Sequence, residues 1–160
     1  MATGHPDPPI DLRVPGTDLT ATDDRAYVVS RGAGALVSAD LTGRQVLAQS
    51  NVADARAVAV ADEVWVLTGS ELVALEKEGL KETARIPIDG EPCPVAVDGD
   101  RVFVNGTTPL LTEVDATTHQ VSRTVTDANS ECGDVHTAFD SIWLSDNVGD
   151  VVYRVPLQMK

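Results

Sequence analysis

His136 stands in the run "DVHTAF", with Glu131 and Asp134 just upstream. An imidazole beside carboxylates could serve as a general base or a metal ligand, because a neighbouring negative charge fixes its tautomer and favours its protonated form. A lone histidine among small residues is more commonly a hydrogen-bonded packing residue. No second histidine accompanies it, since His119 belongs to the turn "TTHQ" and His5 to the N-terminal tail. The chain has no G-x-S-x-G elbow and no H-E-x-x-H pair, the patterns that announce a serine nucleophile or a zinc protease. "RGAGAL" (31–36) lacks a third glycine and leads into a strand, so it is no phosphate loop. "SDNVGD" (145–150) lacks the glycine and glutamate of an EF-hand loop and is expected to be a turn. Asn105-Gly106-Thr107 fits the glycosylation pattern, but a tight turn explains it equally well. Cys93 and Cys132, two cysteines in all, cannot build a four-ligand zinc site alone.

Acidic residues number 25 against 12 Lys and Arg, a formal net charge of −13. That balance disfavours phosphate-backbone binding and anionic membranes, and permits a basic partner or a cation. No apolar run approaches the roughly 20 residues of a membrane-spanning helix. The N-terminus has neither a basic start nor an apolar stretch, so no intact secretory signal is expected there.

The elements that would position these residues come from a repeat. The run from Val95 to Val125 is a near copy of the one from Val58 to Ile86. Tyr27, Trp65, Phe103 and Trp143 each sit in one short pattern ("RAYVVS", "EVWVLT", "RVFVNG", "SIWLSD"), at spacings of 38, 38 and 40 residues. A period near 40 with strand-like alternation is the mark of propeller blades, and no window shows helical periodicity. The expected fold is all-β: a four-bladed β-propeller of four-stranded antiparallel blades. Residues 1–9 form a proline-containing linker or tail, and 10–160 the propeller, with blades near 17–52, 53–90, 91–128 and 129–160 plus 10–16. Inner strands are expected at 18–22, 57–61, 94–98 and 134–138. The aromatic anchors mark the second strands; third strands follow at 36–40, 72–76, 110–114 and 151–155, and outer strands at 45–48, 83–88 and 121–125. The fourth repeat lacks an outer strand, while "PIDLRVPG" (9–16) resembles the outer strand of repeat two, "ARIPIDG" (84–90). The N-terminal strand is therefore expected to close the last blade. A closed monomer is favoured by the small residues Thr20, Ala59 and Ala96 near the axis; exchange of that strand between two chains, giving eight blades, is the alternative.

"VDATTHQV" (114–121) and "GEPCPVAV" (90–97) resemble the repeats of the YVTN and virginiamycin-B-lyase-like propellers. The resemblance runs from about Ile10 to Leu157 and implies a propeller fold, not an activity. It also raises a lyase-like enzyme as the rival reading, with His136, Glu131 and Asp134 imitating a metal-assisted base.

In a propeller, the loops entering the inner strands gather on one face. They would bring Asp18, Asp54, Asp89, Glu91, Asp127, Glu131 and Asp134 to one rim around His136. Acids also occur at the other ends of the strands (Asp24, Glu63, Asp100). Cys93 and Cys132 stand at nearly equivalent places in adjacent repeats, where a cross-blade disulfide or two buried thiols would both fit; a disulfide would suit an oxidising, extracytoplasmic compartment. The expected function is a non-catalytic binding module without a cofactor, using Asp54, Glu91, Glu131, Asp134 and His136 toward a protein or a cationic small ligand. A sensory propeller cut from a longer protein is a further alternative.

Overall fold

The computed structural model describes residues 8–126 and 131–157. Short Val-rich runs between turns rich in acid and glycine have no amphipathic helical face, so their backbone groups are satisfied in antiparallel ladders. Fifteen strands result among the described residues, in four sheets. Blade one holds β1 (Asp18–Ala21), β2 (Arg25–Ser30), β3 (Ala35–Asp40) and β4 (Gln45–Asn51). Blade two holds β5 (Ala57–Val60), β6 (Val64–Leu67), β7 (Glu71–Leu75) and β8 (Glu82–Pro87). Blade three holds β9 (Pro92–Asp98), β10 (Arg101–Gly106), β11 (Leu111–Asp115) and β12 (Gln120–Val125). Blade four holds β13 (Val135–Ala138), β14 (Ser141–Asp146) and β15 (Val151–Pro156). Within each sheet the strands lie in chain order and pair antiparallel, as the repeat predicts.

The turn into each outer strand shows how the repeat is built. Asp40 Oδ1 accepts the amides of Thr42 and Gly43 at 2.8 Å each, and Asp115 Oδ1 those of Thr117 and Thr118 at 2.9 Å each. The carboxylate replaces the missing ladder partner and holds the turn closed. The next residue, Arg44, Leu80 or His119 in the three turns, takes a positive φ of 53–57°. A register shift follows in each third-to-fourth strand pairing, at Ser38/Ala39, Ala74/Leu75 and Glu113/Val114. Such bulges twist the outer strand away from a flat, sticky edge.

Side-chain rows crossing each sheet decide how blades pack. The row turned toward the following blade runs Thr20–Tyr27–Ser38–Ala48 in blade one, Ala59–Trp65–Ala74–Ala84 in blade two and Ala96–Phe103–Glu113–Arg123 in blade three. Blade four continues the series with His136–Trp143–Arg154. Small inner residues let the sheets approach at the axis, and the aromatic fills the widening space behind them. Three apolar clusters result. Tyr27 and Leu36 meet Val58, Val66 and Val73 of blade two; Trp65 and Leu72 meet Val102, Val104 and Val114 of blade three. Phe103 and Leu111 meet Val135, Ile142 and Leu144 of blade four.

The two ends of the series differ from its middle. Pro9–Gly16 adopts no regular strand, and the outer edge of β15 has no strand partner among the described residues. The N-terminal segment lies on the face of blade one turned away from blade two. Ile10, Leu12 and Val14 are half-buried in alternation, Gly16 packs against Val28, and Ile10–Arg13 share a cleft with Val46 and Gln49 of β4.

Candidate binding face

Inner strands β1, β5, β9 and β13 line a central cavity of about 310 Å³, with Thr20, Ala59, Ala96 and His136 among its walls. The loops that feed these strands lie at one end of the cavity, and their chemistry differs from blade to blade. Asp54 sits in the β4–β5 loop with φ 53°. Its carboxylate is gripped by Arg56 at 2.8 Å and by Arg31, from the β2–β3 loop, also at 2.8 Å. Those two guanidiniums, Arg56 the stronger, hold the Asp54 carboxyl below the usual carboxylate range. Asp54 is thus a structural clasp between loops and adds little unbalanced charge. Asp18 is likewise engaged, accepting the Val58 amide at 2.9 Å across the blade boundary.

Glu91, Glu131 and Asp134 are exposed. The Cys93–Cys132 bridge, with Cα atoms 5.8 Å apart, ties the loop of Glu131 to the start of β9, beside Glu91. The Glu131 amide donates to Asp146 Oδ2 at 3.3 Å. Asp146 also accepts the amides of Gly149 and Val148, which hold its carboxyl below the usual range. The backbone around Asp134 is fixed from both sides: its amide donates to Ser145 Oγ at 2.8 Å, and its carbonyl accepts from the Asn105 side chain at 3.4 Å. Gly133 lies so close to the Ser145 carbonyl that a Cβ has no room. Asp134 Oδ1 caps the Val135 amide at 2.9 Å, and Oδ2 reaches His136 Nε2 at 3.2 Å.

His136 is 76% exposed and Asp134 66%, so this pair is solvated. Among the described residues no three His, Cys, Asp or Glu side chains gather as a metal site would require. Asp127 lies outside the described residues. The structure therefore brings Glu91, Glu131, Asp134 and His136 toward one end of the cavity, and places Asp54 there in a neutralised form. Asn105 is fully buried in β10, which removes it as a glycan acceptor. "SDNVGD" is the turn expected, closed by Asp146.

A cluster on the opposite face joins residues that no sequence motif links. His119 Nε2 meets Glu63 Oε2 at 2.8 Å, and its ring tilts over Trp65 at 5.7 Å. Thr83 donates to the same Glu63 at 2.5 Å. Blade three thus reaches back to blade two through a turn residue. The signal available in sequence was that the turn carries a large polar side chain at the left-handed position, where Leu80 stands in repeat two.

Four antiparallel sheets set around a central cavity, each beginning at its inner strand, define a β-propeller. No protein-family model matches the chain, and no curated protein matches it. Solved structures do. The computationally designed Ika4 protein shares 12% identity, with 98% of this chain covering 95% of that one at a TM-score of 0.80. Sqt1 of Saccharomyces cerevisiae, a WD40 propeller, shares 14% identity over 91% of this chain and 46% of its own, at a TM-score of 0.77. BamB of Moraxella catarrhalis, also a propeller, shares 15% identity over 86% and 41%, at 0.70. At such identities the likeness concerns the fold, and the chain spans under half the length of Sqt1 and BamB.

Proposed function

We propose that the chain is a non-catalytic propeller module that binds a basic protein segment or a cationic small ligand on the face bearing Glu91, Glu131, Asp134 and His136. The observation that carries this reading is the convergence of exposed carboxylates from the loops before β9 and β13 beside the central cavity, on a backbone braced by the Cys93–Cys132 bridge. A rigid scaffold with converging loops is where repeat folds place recognition. Clustered carboxylates attract cations, and the attraction is screened beyond a Debye length of about 8 Å at physiological salt. The solvated His136–Asp134 pair belongs to this surface: it offers a polar contact and does not have the dry enclosure that strengthens a catalytic base.

A hexa-lysine peptide, titrated by calorimetry at low salt, tests the reading. Glu91→Lys with Glu131→Lys is expected to weaken binding at least tenfold. Asp24→Lys with Asp100→Lys, the same charge change on the opposite face, is expected to weaken it less than threefold. Equal losses would mean that net charge attracts the peptide and the face does not matter.

A further inference from the structure

Three blade junctions are built alike, and the fourth place in the pattern is empty. Each blade sends an aromatic from its second strand and a branched aliphatic from its third strand into the following blade: Tyr27 with Leu36, Trp65 with Leu72, Phe103 with Leu111. All six side chains are at most 1% exposed. The same positions in blade four are Trp143 and Val152, and here Trp143 is only half-buried while Val152 is 66% exposed. The receiving positions are Val58, Val95 and Val135 in blades two, three and four; the equivalent in blade one is Leu19, also 66% exposed. β1 packs beside β5, β5 beside β9 and β9 beside β13, but no comparable packing joins β13 to β1.

We infer that a second copy of this chain completes the ring, the fourth blade of each copy packing on the first blade of the other to give eight blades. Each end supplies what the other lacks. Among the described residues the outer edge of β15 has no strand partner, and the segment at 10–16 lies on blade one where the outer strand of a preceding blade would sit: Ile86 and Ile88 of blade two pack on blade three in the same way. Completing the β15 ladder with that segment from the partner copy closes the edge and carries Ile10, Leu12 and Val14 into the junction. The two faces suit each other in charge as well. Blade four offers the row His136–Trp143–Arg154 with Val152 beside it, and Asp134 on that face is paired with His136 at 3.2 Å; blade one offers Leu19, Val28, Val37 and Gln49, a row that holds no carboxylate. Finally, this chain superposes over most of its length on 46% of Sqt1 and 41% of BamB, so its four blades fit the curvature of propeller chains about twice as long. A head-to-tail contact of this kind forms a closed ring where the rotation per copy divides the full circle, a half turn for two copies, and a filament otherwise.

Sedimentation equilibrium of the full chain decides the matter. The expected mass is twice the 16.9 kDa of one chain. Leu19→Glu and Val152→Glu, each at a solvent-exposed position, should separately raise the dimer dissociation constant at least 100-fold with unchanged far-ultraviolet dichroism. Mixing the two variants restores one of two junctions and should recover part of the dimer, which neither variant forms alone. A chain that stays at 16.9 kDa at 100 micromolar, a dimer indifferent to both substitutions, or a ladder of larger species would each overturn the inference.

Discussion

Replacing both cysteines with serine removes a bridge whose loop is one whole blade. Cys93 and Cys132 are 39 residues apart and enclose β10, β11 and β12, so the cross-link holds the third blade as a closed loop in the unfolded chain. In the chain-entropy account the lost freedom is about 13 cal/mol/K for that loop, or about 4 kcal/mol at 25 °C. A domain of this size has a total stability of about 5–15 kcal/mol, so the change is a large fraction of the whole. Both cysteines are only half-buried, and two serines there add little desolvation cost of their own. Urea denaturation followed by far-ultraviolet dichroism, at one fixed protein concentration, measures the difference between the oxidised protein and Cys93→Ser/Cys132→Ser. The expected loss is about 3–4 kcal/mol, with a melting temperature lower by roughly 6–16 °C. Wild-type protein under reductant should fall on the variant's curve. A loss under about 1 kcal/mol, or free thiols counted in unfolded protein kept without reductant, would refute the reasoning.

Gly90 has φ +78° and no space for a Cβ against the Thr108 carbonyl, so Gly90→Ala should cost at least about 2 kcal/mol in the same urea experiment. Trp65→Ala empties the centre of the junction between blades two and three, and a loss of about 3–5 kcal/mol is expected. Asp146, held by the Gly149 and Val148 amides, has a folded-state pKa below its unfolded value, so its contribution is complete above the ordinary carboxylate range and is lost as pH falls through the folded value. Asp146→Asn keeps an acceptor oxygen for those amides but cannot titrate; its stability should therefore fall less steeply than the wild type's on acidification below about pH 4, and parallel curves would contradict the assignment.

The blade pattern was legible because it is local. Anchors spaced 38, 38 and 40 residues apart fall on β2, β6, β10 and β14, and strand ends shift by no more than about three residues. Alignment of the repeats even placed His136 beside Thr20, Ala59 and Ala96, each of which lies opposite its blade's aromatic anchor. What could not be read depends on contacts between blades. Asp54 looks free in "NVADAR", yet Arg31, 23 residues away in the preceding blade, helps to neutralise it. His119 looked like an ordinary turn residue until blade three came to rest beside Glu63 and Trp65. The likeness of 9–16 to an outer strand suggests a ladder with β15. That likeness is real on the side facing blade one, where Ile10, Leu12 and Val14 are half-buried, but ladder pairing with β15 is not a property that a single strand's sequence can specify.

The reading of this chain as a binding module turns on where a cation meets its surface. Amide chemical-shift mapping of the isotope-labelled protein during titration with the hexa-lysine peptide locates that contact without any knowledge of the natural partner. Shifts are expected to concentrate in 88–93 and 131–136 around Glu91, Glu131, Asp134 and His136, fading as salt is raised. Shifts spread evenly over both ends of the strands, or centred on Glu63, Asp100 and His119, would contradict that reading.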